Sequence, residues 1–221
     1  MNKLNLSIGI IIILTIISCS NNKLSELSIN CACIATEHFI TSTNDINNST
    51  KKYTFTNSQL FDLGVSKDEF ANSFAMQIGE QIENNDKFNI IEINIEKEFN
   101  GEVKFTNSYE YELKKIEKGI PEYFKLESFI SGFVVDVYNR NYSGCLELFE
   151  FDDEEEFKTI IDVIYQDLNK GYITTKIVSY KYESDYYSIC GIIKSENDNL
   201  DLFTMKLKKI ENQFKIISFN F

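Results

Sequence analysis

The 221 residues carry 34 acidic against 22 basic side chains, a formal charge of −12 and a pI near 4.6. That balance argues against a nucleic-acid-binding face, which needs cations to neutralise phosphate, and against electrostatic docking on anionic lipid. Hydrophobic residues make up 43% and phenylalanine alone supplies 18, enough for real cores and too many for a disordered chain.

The chain begins with a short positive region at Lys3, then a nearly unbroken apolar run from Leu4 to Ile17, and turns polar at Ser20-Asn21-Asn22-Lys23. This is the anatomy of a secretory signal peptide, and its apolar part is shorter than the roughly 20 residues of a spanning helix. Ile16-Ile17-Ser18-Cys19 resembles the bacterial lipobox. The resemblance implies removal of residues 1–18, acylation (palmitate included) of Cys19, and a place in the bacterial cell envelope, on its periplasmic side or at the cell surface. The mature 203 residues would carry −13, since the leader holds one lysine and no acid. An oxidising compartment makes the cysteines candidates for disulfides. Cys31 and Cys33, on one face of an expected strand, are too extended for an easy bond and read as apolar core residues, with a soft-metal pair as the rival. Cys145 with Cys190, helix to sheet, is the candidate disulfide.

Taken in order, residues 19–30 read as a polar tether. Residues 31–118 read as a first, ββαββ domain, with strands at 31–40 and 51–57 joined by an Asn/Ser/Thr-rich connection. Ser66-Lys67-Asp68-Glu69 has the spacing of a capping box, with Val65 and Phe70 as its staple. Phe70, Phe74, Ile78 and Ile82, with Ala71 and Ala75, form the apolar stripe of a helix ending near Asn84-Asn85. Ile91, Ile93 and Ile95 alternate with polar residues, Asn100-Gly101 reads as a hairpin turn, and Val103, Phe105, Tyr109, Tyr111 and Leu113 form the return strand. The predicted first domain is a small antiparallel sheet with one helix.

The second domain is placed at 119–221, with Pro121 in the first turn of a helix running to about Asn141. Leu113-Lys114-Lys115-Ile116-Glu117 recurs at Leu207–Glu211, an echo that would make 122–129 a strand, but one echo is weak against the helical spacing of Phe129, Phe133, Val134 and Val137. Asn141-Tyr142-Ser143-Gly144 breaks the helix. Asp152–Glu156 opens another, favoured by the helix dipole and lacking calcium-loop spacing. It buries Phe157, Ile160, Ile161, Ile164 and Leu168 and ends at Gly171. Strands follow at 172–182, 186–194, 200–210 and 213–220.

This order, with the Tyr138–Ser143 break, resembles the NTF2-like (SnoaL, cystatin-like) cone, an α+β fold in which helices pack on a curved antiparallel sheet. The resemblance covers under half the chain. It implies either a filled binding module or, as in ketosteroid isomerase, an apolar pocket with a buried acid and tyrosine.

No catalytic constellation, cofactor motif or metal spacing is legible. The one histidine, His38, reads as an exposed strand residue. Asp136, Asp162 and Tyr165 lie near apolar helix faces and read as helix-surface residues. The expectation is a lipid-anchored, non-enzymatic module that binds an envelope protein or a small hydrophobic ligand and no nucleic acid. The alternatives are an isomerase-type enzyme or carrier and an immunity or inhibitor lipoprotein.

Overall fold

The computed structural model describes residues 22–40, 49–82, 88–149, 154–168, 170–196 and 199–220. The expected leader at residues 1–18, Cys19, the expected helix end at Asn84-Asn85 and Asp152-Asp153 lie outside them. The fold is mixed α+β, with two four-stranded sheets and six helices among the described residues. In chain order these are α1 (Asn22–Asn30), β1 (Ile34–Ile40), β2 (Thr50–Thr56), α2 (Lys67–Glu80), β3 (Ile90–Phe99), β4 (Glu102–Glu112), α3 (Leu113–Ile116), α4 (Ile120–Tyr138), α5 (Tyr142–Leu146), α6 (Glu154–Asp167), β5 (Tyr172–Glu183), β6 (Tyr186–Ser195), β7 (Leu200–Ile210) and β8 (Gln213–Asn220). No helix among the described residues is long and apolar enough to cross a membrane.

The expected tether is largely a helix. Leu24, Leu27 and Cys31 recur at helical spacing, and Leu27 and Cys31 are fully buried. Polar residues around that stripe hid it from a compositional reading. The first sheet, ordered β1-β2-β3-β4, is not wholly antiparallel as expected: β2 and β3 pair in parallel. The helix between them explains this, because a crossover carries the chain back to start the next strand in the same direction.

Phe55 on β2 packs edge-on against Phe70 and Phe74 of α2, whose rings stack at 4.2 Å. Each such fully buried ring contributes roughly 2–3 kcal/mol. Ser66 occupies the α2 N-cap position, but the capping box does not form, because its hydroxyl donates to the Asp68 carboxylate instead. Asn100 and Gly101, both at positive φ, make the expected hairpin turn. Phe99, Val103 and Phe105 do not reach the core and stand 65%, 49% and 68% exposed. The register shifts at Lys97/Glu98, and β2 stops opposite Glu96, so the outer hairpin runs past its neighbour strand.

The second sheet is the expected antiparallel meander, β5-β6-β7-β8. Residues 122–129 are helical within α4, so the Leu-Lys-Lys-Ile echo is a helix at 113–116 and the end of a strand at 207–210. Ile189, Met205 and Phe219 lie side by side on the inner face, where Phe133 of α4 meets Phe219 at 5.0 Å and Phe149 at 5.7 Å. Phe149 in turn meets Phe157 of α6 at 5.1 Å. Gly191 keeps this face open for the Phe203 ring. The helix–sheet interior is packed with phenylalanine, isoleucine and valine.

One polar network joins the two halves. Asn30 of α1 donates to the Gln77 side-chain oxygen on α2 (3.1 Å), and Gln77 Nε2 donates to Tyr123 of α4 (2.9 Å) and to the Ile177 carbonyl of β5 (3.0 Å). Tyr123, fully buried, donates to the same carbonyl. Buried polar groups fix a register only when satisfied, and these are.

Candidate functional site

On the second sheet's outer face, Ser188 and Cys190 of β6, Thr204 and Lys206 of β7, and Ser218 and Asn220 of β8 lie in neighbouring register. The pleat puts them opposite Ile189, Met205 and Phe219. The loop Leu63–Ser66 and the first turn of α2 stand over this face and enclose a cavity of about 260 Å³. Beyond Glu69 a second space of about 360 Å³ continues between Asp68, Asn72, Tyr180, Lys181 and Tyr182. Glu69 borders both, and the two spaces together are the candidate groove.

Burial, then the neighbouring Asp68 charge, raises the Glu69 carboxyl above its ordinary value. Asp68 itself is lowered, chiefly by the hydrogen bond from the Ser66 hydroxyl. Burial, then Glu69, pushes the Cys190 thiol up to about 11, so it stays a protonated thiol rather than a nucleophilic thiolate. Burial also raises Tyr180, whose hydroxyl hydrogen-bonds the Asn72 side chain. The groove therefore offers rows of hydroxyl and amide groups, ammonium groups at Lys206 and Lys181, and the carboxyls of Asp68 and Glu69, of which Glu69 holds its proton more tightly than usual. That inventory binds polar chains by hydrogen bonding.

A larger space of about 410 Å³ lies between Phe61, Lys67 and the base of the β3–β4 hairpin. Its walls include the exposed Phe105 ring and the surface Lys97–Asp62 pair.

The structure corrects both cysteine expectations. Cys31 and Cys33 are disulfide-bonded, because they occupy the turn after α1 rather than a strand. Ala32 at φ 47° folds that turn and brings the alpha carbons to 5.1 Å. Cys145 and Cys190 are both free. Cys145 sits in α5 on the inner side, packed beside α4, whereas Cys190 faces outward toward Glu69, so the sheet separates them. Burial, then Asp136, pushes the Cys145 thiol up to about 12.

His38 is exposed on edge strand β1. Asp136 accepts from Asn141 (2.9 Å), Asp162 from Tyr142 (2.7 Å), and the Arg140 guanidinium lies 4.3 Å from the Tyr165 ring centroid. These contacts staple the α4–α5–α6 corner at the surface. Among the described residues no cluster of ligating side chains could hold a metal ion.

The buried acid and tyrosine that the cone resemblance implies have counterparts in Glu127 and Tyr123, both packed into the interior, at 9% and 0% exposure. Glu127 faces Lys176 at 3.5 Å, which also faces Glu26 at 3.5 Å. Burial raises the Glu127 carboxyl; Lys176 and the Ile177 backbone offset part of that rise.

The alternation Ser188/Cys190, Thr204/Lys206 and Ser218/Asn220 was visible in the sequence as the polar side of a meander. Nothing local announced that α2, more than a hundred residues upstream, would cover it.

No protein-family model and no curated protein matches this chain. Among solved structures, it is similar to a Campylobacter jejuni protein bearing the provisional name NTF2-like transpeptidase, at 14% identity and a TM-score of 0.36, over 41% of this chain and 94% of that one. It is also similar to the Bdellovibrio bacteriovorus protein Bd1075, at 12% identity and a TM-score of 0.34, over 80% of this chain and 62% of that one. Likenesses this distant carry no functional weight, so function rests on the groove.

Proposed function

We propose that this chain is a lipid-anchored protein of the bacterial cell envelope, held through Cys19, that works by binding rather than catalysis. In this reading α4–α6 over β5–β8 form an NTF2-like, cystatin-like cone used as a scaffold. One observation carries the binding reading. The helix–sheet interior is filled by Phe133, Phe149, Phe203 and Phe219, while the open, polar space lies outside on the strand face beside Glu69. The ligand is an extended polar segment of another envelope protein. Ser179 of β5, beside Cys190, adds a fourth strand to the floor, and four strands at the usual spacing span about 14 Å, the length of about four extended residues. The hydroxyl and amide rows match the donors and acceptors of a peptide backbone.

Photo-crosslinking in intact envelopes tests this. A photoreactive residue at Thr204, in the groove, should give a discrete crosslinked species, and one at exposed Thr159 on α6 should not. Glu69→Lys should abolish the Thr204 product. A partner delivered by a competing cell would specify an immunity role. Identical products from both positions, or a Thr204 product indifferent to Glu69→Lys, would overturn the groove.

A further inference from the structure

The chain enters its fold at one defined end. Asn22 begins α1, Lys23 Nζ donates to the Gln81 carbonyl at the C-terminus of α2 (3.1 Å), and Leu27 and Asn30 hold α1 in the core. At that same end Gly79 packs against Ile116 and Ile120, so the 113–118 segment with exposed Lys114, Lys115 and Lys118 lies beside it. The opposite end is the β3–β4 hairpin tip. Ten residues of β3 separate the two ends, about 30 Å along the strand.

We infer that this end of the molecule, formed by the start of α1, the end of α2 and residues 113–118, rests on the bilayer surface. The inference rests on the acylation of Cys19 proposed above. Only Ser20 and Asn21 lie between Cys19 and the helix. Three residues reach at most about 11 Å even fully extended, too short for the body to turn over. An acyl-bearing Cys19 at the headgroup level therefore holds the start of α1 against the membrane. The lysines of 113–118 suit that surface better than the rest of a chain of net charge −12. The exposed Phe99, Val103 and Phe105 then point away from the bilayer, and their exposure is not membrane insertion.

The acylated protein beginning at Cys19, in a Cys190→Ser background, would carry a fluorophore at Lys115→Cys or Glu102→Cys and be placed in phosphatidylethanolamine/phosphatidylglycerol vesicles with a headgroup nitroxide quencher. Quenching should be several-fold stronger at 115 than at 102. Insertion of about twenty Gly/Ser residues after Asn21 should erase most of the contrast, because such a linker averages roughly 25 Å and extends to about 70 Å, enough for the body to turn over. Equal quenching, stronger quenching at 102, or a contrast that survives the insertion overturns the inference. Absence of acyl mass on Cys19 would instead sink the anchor reading. Coupling a maleimide lipid to that thiol would then test the same geometric contrast.

Discussion

Replacing Gln77 by alanine should cost far more than its polarity suggests. The side chain is 5% exposed and makes three hydrogen bonds, from Asn30 and to Tyr123 and Ile177. At about 1 kcal/mol net for each bond, their loss alone destabilises by about 3 kcal/mol. Tyr123 keeps its bond to the Ile177 carbonyl, so that pair remains satisfied. Asn30, only 3% exposed, loses its acceptor, and a stranded buried donor costs about 1–3 kcal/mol more. The expected total is roughly 4–6 kcal/mol for Gln77→Ala, against less than about 0.5 kcal/mol for a surface control such as Glu80→Ala. Urea unfolding of residues 19–221, with Cys19→Ser, reads this as a lower midpoint at unchanged slope. Asn30→Ala in the same background should be strongly coupled to Gln77→Ala in a double-mutant cycle. A loss below about 1 kcal/mol, or additive single effects, would refute the claim that this network joins the two halves.

Three further outcomes follow from the same structure. Because burial raises the Glu127 carboxyl above its ordinary 4.5, the folded protein holds that proton more tightly than the unfolded chain. Its contribution to stability is complete below pH 4.5 and is lost as pH rises through the raised value. Glu127→Gln should therefore gain on the wild type as pH rises above 4.5, and parallel stability curves would contradict this. At Gly191 an added Cβ would sit 2.8 Å from the Lys176 carbonyl and run into the Phe203 ring, so Gly191→Ala should lose about 2–3 kcal/mol in the same unfolding assay. Double replacement of Cys31 and Cys33 by serine should cost only about 1.5 kcal/mol, since so short a loop constrains the unfolded chain little. A loss twice that size would mean the bond positions α1 as well.

Legibility in the sequence followed locality. The second-half strands, the Asn100-Gly101 hairpin and the Phe70/Phe74/Ile78 stripe all rest on contacts within one element or between adjacent ones, and each fell within a few residues of its observed bounds. The parallel β2–β3 pairing was implicit in strand–helix–strand order, yet small size and alternation suggested hairpins. Helix α1 was hidden because its apolar stripe is two leucines and a cysteine among polar residues. The Cys31–Cys33 bond depends on one backbone angle at Ala32, which no composition encodes. The groove depends on α2 crossing to the second sheet, a contact across more than a hundred residues. Its floor could be read as a polar strand face, its roof could not.

The proposed location and orientation both depend on acylation of Cys19, so the intact mass and N-terminal sequence of the protein extracted from envelopes is the most direct measurement. The account predicts a chain beginning at Cys19 with diacylglyceryl and acyl mass, retained in the membrane fraction. A free Cys19 thiol, or an N-terminus elsewhere, would contradict it.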